Sequence, residues 1–164
     1  MIEYSIELIN NVEKIIRYYE KYVEENDNFD LLQNIIKFMM ECINNYIDDQ
    51  YFVIPKNIIQ GYMNEAIKTW DRCFSEKEIN KFKIGYITKI NELEQMLRKI
   101  NEKEEEKWAT KKCVLWMLYN GYKDQENIFV YDFMKLFILE LEKIEIEEKY
   151  INETLEKYFK VIIE

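Results

Sequence analysis

Cys113-Val114-Leu115-Trp116-Met117-Leu118-Tyr119 is the stretch whose reading decides the fold. It carries no charge and offers no polar stripe to water, and a helix that is apolar on all sides belongs in an interior. After Asn120-Gly121 the pattern resumes. From Ile128 to Leu139 the chain is apolar except for Asp132 and Lys135, and Leu141 extends the run. We read these segments, Trp108 to Tyr119 and Ile128 to Leu141, as a central helical hairpin. Gly121 would take a left-handed stop conformation, with residues 122–127 as the loop.

Outward from the hairpin, periodicity steps by three and four. Ile2, Ile6, Ile9, Val12, Ile16, Tyr19 and Val23 predict one face of a first helix running to about Glu25. Asn26-Asp27-Asn28 breaks it, and Asn28 or Asp30 can cap the next helix. Leu31, Leu32, Ile35, Ile36, Phe38, Met39, Cys42, Ile43, Tyr46 and Ile47 make a broader apolar face, so this second helix should pack more deeply than the first. Asp48-Asp49-Gln50 ends it. Tyr51 to Ile54, bounded by the single proline, reads as an extended connection, because no second strand candidate exists to pair with it. Pro55 suits the first turn of a third helix, whose seam is Ile58, Ile59, Tyr62, Met63, Ala66, Ile67 and Trp70, weakened by Gly61.

Phe74-Ser75-Glu76-Lys77-Glu78-Ile79 has the composition of a capping box with a hydrophobic staple. The helix it starts follows Ile79, Phe82, Tyr86, Ile90, Leu93, Leu97 and Ile100, and must break around Ile100 to Lys103. Unbroken to Tyr119 it would be roughly 66 Å long, against a radius of gyration near 15 Å. Glu102 to Lys107 is then a solvated, charged approach to the hairpin. Beyond Leu141, Ile144, Ile151, Leu155, Tyr158 or Phe159 and Ile162 line one face, with a break near Tyr150 to Asn152. The expectation is an all-α, single-domain bundle (residues 1–164) of six or seven helices around the central hairpin. No internal repeat or low-complexity linker is visible.

Composition narrows function by exclusion. A chain of 164 residues with only 3 Gly and 1 Pro lacks the turns of a β-sandwich. The formal net charge of −9 opposes nucleic-acid binding, which needs clustered Lys and Arg, and suits a basic protein partner. No uncharged run approaches the ~20 residues of a membrane span, and no signal peptide is apparent, so a cytoplasmic location is expected. Cys42, Cys73 and Cys113 are far apart and lie among apolar residues, as reduced buried thiols do. With no histidine, Ser-His and Cys-His nucleophilic catalysis and the usual zinc sites are excluded. No cofactor, metal or catalytic residue is expected.

Two acidic groupings merit comparison with enzymes. Asp48-Asp49-Gln50-Tyr51-Phe52 is superficially similar to the magnesium motif of helical prenyl-transferring enzymes, but the second metal motif those enzymes need is missing. Glu102, Glu104, Glu105 and Glu106 invite comparison with helical nucleotide pyrophosphohydrolases, whose ligands project from apolar faces. This run has none, and reads as a solvated surface. Asp48 and Asp49 follow the expected C-terminus of the second helix, where the macrodipole disfavours each carboxylate by roughly 0.3–1 kcal/mol. That conflict, beside Tyr51 and Phe52, marks a candidate surface for a basic partner; exposed loop charges are the alternative reading.

Trp70-Asp71-Arg72 falls near a helix end, where Asp71 and Arg72 can face a partner or form an ordinary surface ion pair. With this motif, a small, acidic, histidine-free, all-helical chain resembles the helical immunity proteins of bacterial polymorphic-toxin systems, one family of which is described by an acidic residue followed by Arg. The resemblance implies a non-enzymatic protein that occludes a cognate toxin, often a basic nuclease. The partner-binding candidates are Asp48, Asp49, Tyr51, Asp71, Arg72, Glu104 and Glu105. Two other functions stay open: a carboxylate metal-dependent phosphohydrolase and an acidic nucleic-acid mimic.

Overall fold

The computed structural model describes residues 2–26, 30–70, 91, 95, 103–122 and 132–164. Among them the chain forms six α-helices and no strand: α1 (Ile6–Asn26), α2 (Asp30–Tyr46), α3 (Lys56–Trp70), α4 (Glu105–Tyr122), α5 (Asp132–Lys143) and α6 (Glu148–Ile163), with a 3-10 turn, η1 (Asp49–Tyr51), between α2 and α3. The expected all-α bundle is therefore present. The capping box at Ser75 and Glu78, the heptad-like seam to Ile100 and the pair Asp71-Arg72 lie outside the described residues. Asn91 and Gln95, inside that seam, are helical and exposed.

The hairpin arms α4 and α5 make the most extensive helix–helix contact, but α2 is the helix that touches α3, α4, α5 and α6 alike. Its Ile35, Ile36, Phe38, Met39, Cys42 and Ile43 are all buried, and the Phe38 ring meets Phe137 of α5 and Phe159 of α6 edge-on at 6.2 and 6.0 Å. The core is thus built on the second helix, with the hairpin as one wall. α4 is not apolar on every face in practice. Ala109, Thr110, Cys113, Val114 and Met117 are buried, while Leu115 and Trp116 are only partly covered. Seven consecutive apolar residues must wrap a helix, whereas among the described residues its neighbours enclose only Cys113, Val114 and Met117 of them.

Three expected boundaries move. α1 begins only at Ile6, because the Ser5 hydroxyl accepts the Leu8 N–H at 3.2 Å and caps it. Residues 2–5 are not helical and are pinned by carboxylates of the far end of the chain. The Tyr4 N–H donates to Glu142 at 2.8 Å, the Ser5 N–H to Glu148 at 2.5 Å, and the Tyr4 hydroxyl to the Ile146 carbonyl at 2.8 Å. The buried stripe of α1 is consequently Leu8, Val12, Ile15, Ile16 and Tyr19, with Ile6 left 80% exposed. Val12, Ile16 and Tyr19 of the expected stripe are kept, while docking on α5 and α6 turns Leu8 and Ile15 inward in place of Ile6.

α4 passes through Asn120-Gly121 to Tyr122 without stopping. The break expected at Tyr150 to Asn152 lies instead at residues 144–147. There Glu145 adopts φ 65, the Glu145 N–H donates to the Glu142 carbonyl at 3.0 Å and the Ile146 N–H to the Leu141 carbonyl at 3.2 Å. These two bonds are the Schellman motif, closed by a glutamate where glycine is usual. Leu141 and Ile146, both buried, supply its apolar contact.

Candidate functional site

The connection from α2 to α3 carries three of the candidate residues. Asp48 is the N-cap of η1 and accepts the Gln50 N–H at 3.0 Å. Lys56, at the start of α3, reaches back so that its Nζ donates to the Asn44 and Ile47 carbonyls at 3.2 and 2.5 Å and pairs with Asp49 at 2.7 Å. The ammonium also stands 5.0 Å from the Phe52 ring centroid. This overturns the electrostatic conflict expected at Asp48 and Asp49. A cation neutralises the negative end of α2, one aspartate is tied to that cation, and the other caps a new turn. Lys56 was missed because its partners are carbonyls, which carry no residue-type signal. A lysine shortly beyond a helix end was the only hint.

The surface at this corner is acidic with apolar spots. Asp49 remains 87% exposed, and Val53 and Ile58 are 49% and 46% exposed. Asp49, Phe52, Val53, Pro55, Lys56 and Asn57 line a shallow cleft of about 440 Å3. Tyr51 is half-buried, and with Phe52, Val53, Ile54 and Ile59 it faces Thr110, Lys111 and Val114 of α4 across a narrow crevice. The η1 turn is thereby seated on α4.

Glu104 and Glu105 open that same helix. Glu104 precedes it, giving its carbonyl to the Trp108 N–H at 2.8 Å and its carboxylate to Lys107 at 3.9 Å. Glu105 and Glu106 occupy the first turn, where the macrodipole favours acids. At 100° per residue, Glu104, Trp108, Lys111 and Leu115 form an outer ridge of α4. The η1 crevice opens on one flank of this ridge, at Thr110, Lys111 and Val114. On the other, Ile2, Glu105, Trp108, Ala109, Lys112, Glu142, Lys143 and Glu145 line a cleft of about 540 Å3. The structure therefore seats Tyr51 on one flank of α4, while Glu105 lines the cleft on the other.

The carboxylates near these clefts are engaged separately: Glu142 with the Tyr4 backbone, Glu148 with the Ser5 backbone, and buried Glu140 with Lys112 at 3.8 Å and Lys143 at 3.3 Å. Among the described residues no three His, Cys, Asp or Glu side chains converge as a metal cage. Cys42 and Cys113 are buried free thiols whose pKa is pushed up, chiefly by burial. A thiol held in that form is a poor nucleophile. No helix among the described residues is long and apolar enough to cross a membrane. No protein-family model matches the chain, and neither a curated protein nor a solved structure matches it significantly.

Proposed function

We propose that this chain is a binding protein of the immunity or inhibitor type, which neutralises a basic bacterial toxin by covering it rather than by chemistry. The observation that carries the reading is the α2–α3 corner. Exposed Val53 shares a cleft with exposed Asp49, and exposed Ile58 follows on α3, in a chain of net charge −9, so apolar contact and complementary charge are offered together. Apolar anchors ringed by charge supply affinity at the centre of an interface, while the charges speed association and select the partner.

The test is co-expression with the variable C-terminal domain of a secreted toxin encoded beside this gene. Wild-type chain should restore growth and bind the domain. The double variant Asp48→Asn/Asp49→Asn keeps a capping oxygen at 48, so the fold should hold while affinity falls by more than about fivefold, the ~1 kcal/mol that separates contributing from neutral contacts. Added salt should weaken the wild-type complex further. Failure of the wild-type chain to protect against that domain would refute the function; wild-type affinity in the double variant would refute the corner.

A further inference from the structure

The second cleft, on the opposite flank of the α4 ridge, has a chemistry of its own. One wall is the half-buried Trp108 ring, already faced by two of the chain's own cations: Lys111 Nζ lies 4.3 Å and Lys112 Nζ 5.6 Å from its centroid. The other walls hold three carboxylates, Glu105, Glu142 and Glu145, against two ammoniums, Lys112 and Lys143. Both ammoniums are turned onto Glu140, a residue only 6% exposed whose Oε1 takes the two lysines and whose Oε2 has no hydrogen-bond partner among the described residues. Lys112 and Lys143 thus lean toward a buried charge, and the groups lining the cleft, three carboxylates against two ammoniums, sum to net negative.

We propose that this cleft is the anchor site for an arginine side chain of the protein partner, its guanidinium stacked on Trp108 and paired with Glu105 and Glu145. The assignment rests on the reading of the chain as a binder of a basic protein. Indole is the best aromatic surface for a cation. Guanidinium is planar and more weakly hydrated than ammonium, so it stacks where a lysine only hovers. Exchanging Lys111 for an arginine on the ring therefore releases a strongly hydrated ion to water and places a weakly hydrated one in the cleft. The volume, about 540 Å3, admits such a side chain without rearrangement of the helices.

The experiment needs no toxin. The indole N–H resonance that disappears in Trp108→Phe is followed by NMR while N-acetyl-arginine amide is added, with N-acetyl-citrulline amide, its neutral near-isostere, in parallel. A saturable shift with the arginine compound is expected, with citrulline at least tenfold weaker. Glu105→Gln/Glu145→Gln, both at exposed positions, should weaken the arginine compound at least fivefold while leaving thermal unfolding within a few degrees of wild type. Absence of an arginine-induced shift, an equal response to citrulline, or undiminished binding in the double glutamine variant would each overturn the site. Because the probe replaces the partner, a chain that protects against its toxin but ignores arginine loses only this cleft. One that binds arginine but does not protect loses the immunity reading.

Discussion

Glu145 is the one described non-glycine residue held at positive φ. An L-side chain in that region costs roughly 1–2 kcal/mol, and glycine is free of the penalty. Glu145→Gly should therefore stabilise the fold by about 1 kcal/mol, raising the melting temperature by roughly 2–4 °C for a chain of this size, while weakening arginine binding at the Trp108 cleft; an unchanged or lower melting temperature would contradict this. Tyr4, Cys42 and Cys113 make the second expectation. Burial is the largest cause raising the pKa of each, far above the ordinary tyrosine range for Tyr4. Groups that hold their protons more tightly when folded stabilise fully below their unfolded pKa values. That contribution is lost as pH rises above about 8.5 for the thiols and about 10 for the phenol. Urea midpoints should fall with pH across this range, and Tyr4→Phe should flatten the part above about pH 10. A midpoint constant to about pH 11 would show that these groups are not buried as described.

At the scale of elements, the junction between α2 and α3 depends on one lysine. Lys56 satisfies two carbonyls at the end of α2 and Asp49 together, so a neutral short residue leaves helix-end acceptors without their donor. We expect Lys56→Ala to cost about 1–3 kcal/mol in chemical denaturation, the range for a hydrogen-bonded charged group, whereas Asp49→Asn, which removes only an exposed ion pair, should cost no more than about 1 kcal/mol. Equal effects would mean that the ion pair, not the carbonyl clamp, holds the junction. The contrast also shows what was legible. The end of α2 near Asp48 was readable from Tyr46, Ile47 and the acids behind them. The 3-10 turn and its clamp were not, because backbone carbonyls have no residue identity.

Across the whole molecule, α2, α5 and α6 converge on Phe38, whose ring is fully buried between Phe137 and Phe159. Phe38→Ala should cost about 3–5 kcal/mol, a large share of the 5–15 kcal/mol that holds a typical domain together. Trp116→Ala, on the half-covered side of α4, should cost clearly less, although Trp116 sits in the most apolar run of the chain. Guanidinium denaturation of both variants tests whether the core is built on α2; a larger loss at Trp116 would return that role to the hairpin.

Periodicity alone determined the helical class, the α4–α5 pairing, the buried face of α2 from Ile35 to Ile43, and Phe159 as one of two candidates on the last helix, because burial of apolar side chains every three or four residues admits no other regular element. The charge of −9 and the lack of histidine likewise belong to composition and bound the chemistry without any coordinates. Which stripe of α1 faces inward was decided only by tertiary contacts, with Glu142 and Glu148 capturing the backbone of Tyr4 and Ser5, whereas the start of that helix at Ile6 and the turn before α6 came from local hydrogen bonds, the Ser5 cap and the closure across a strained Glu145, that periodicity does not signal. The candidate surface divides in the same way. Exposure of Asp48, Asp49, Glu104 and Glu105 was readable as charge, but the seating of Tyr51 on one flank of α4 and the opening of the Glu105 cleft on the other, with Trp108 between, required the helices to dock, since side chains more than fifty residues apart share no periodicity by which a sequence can pair them.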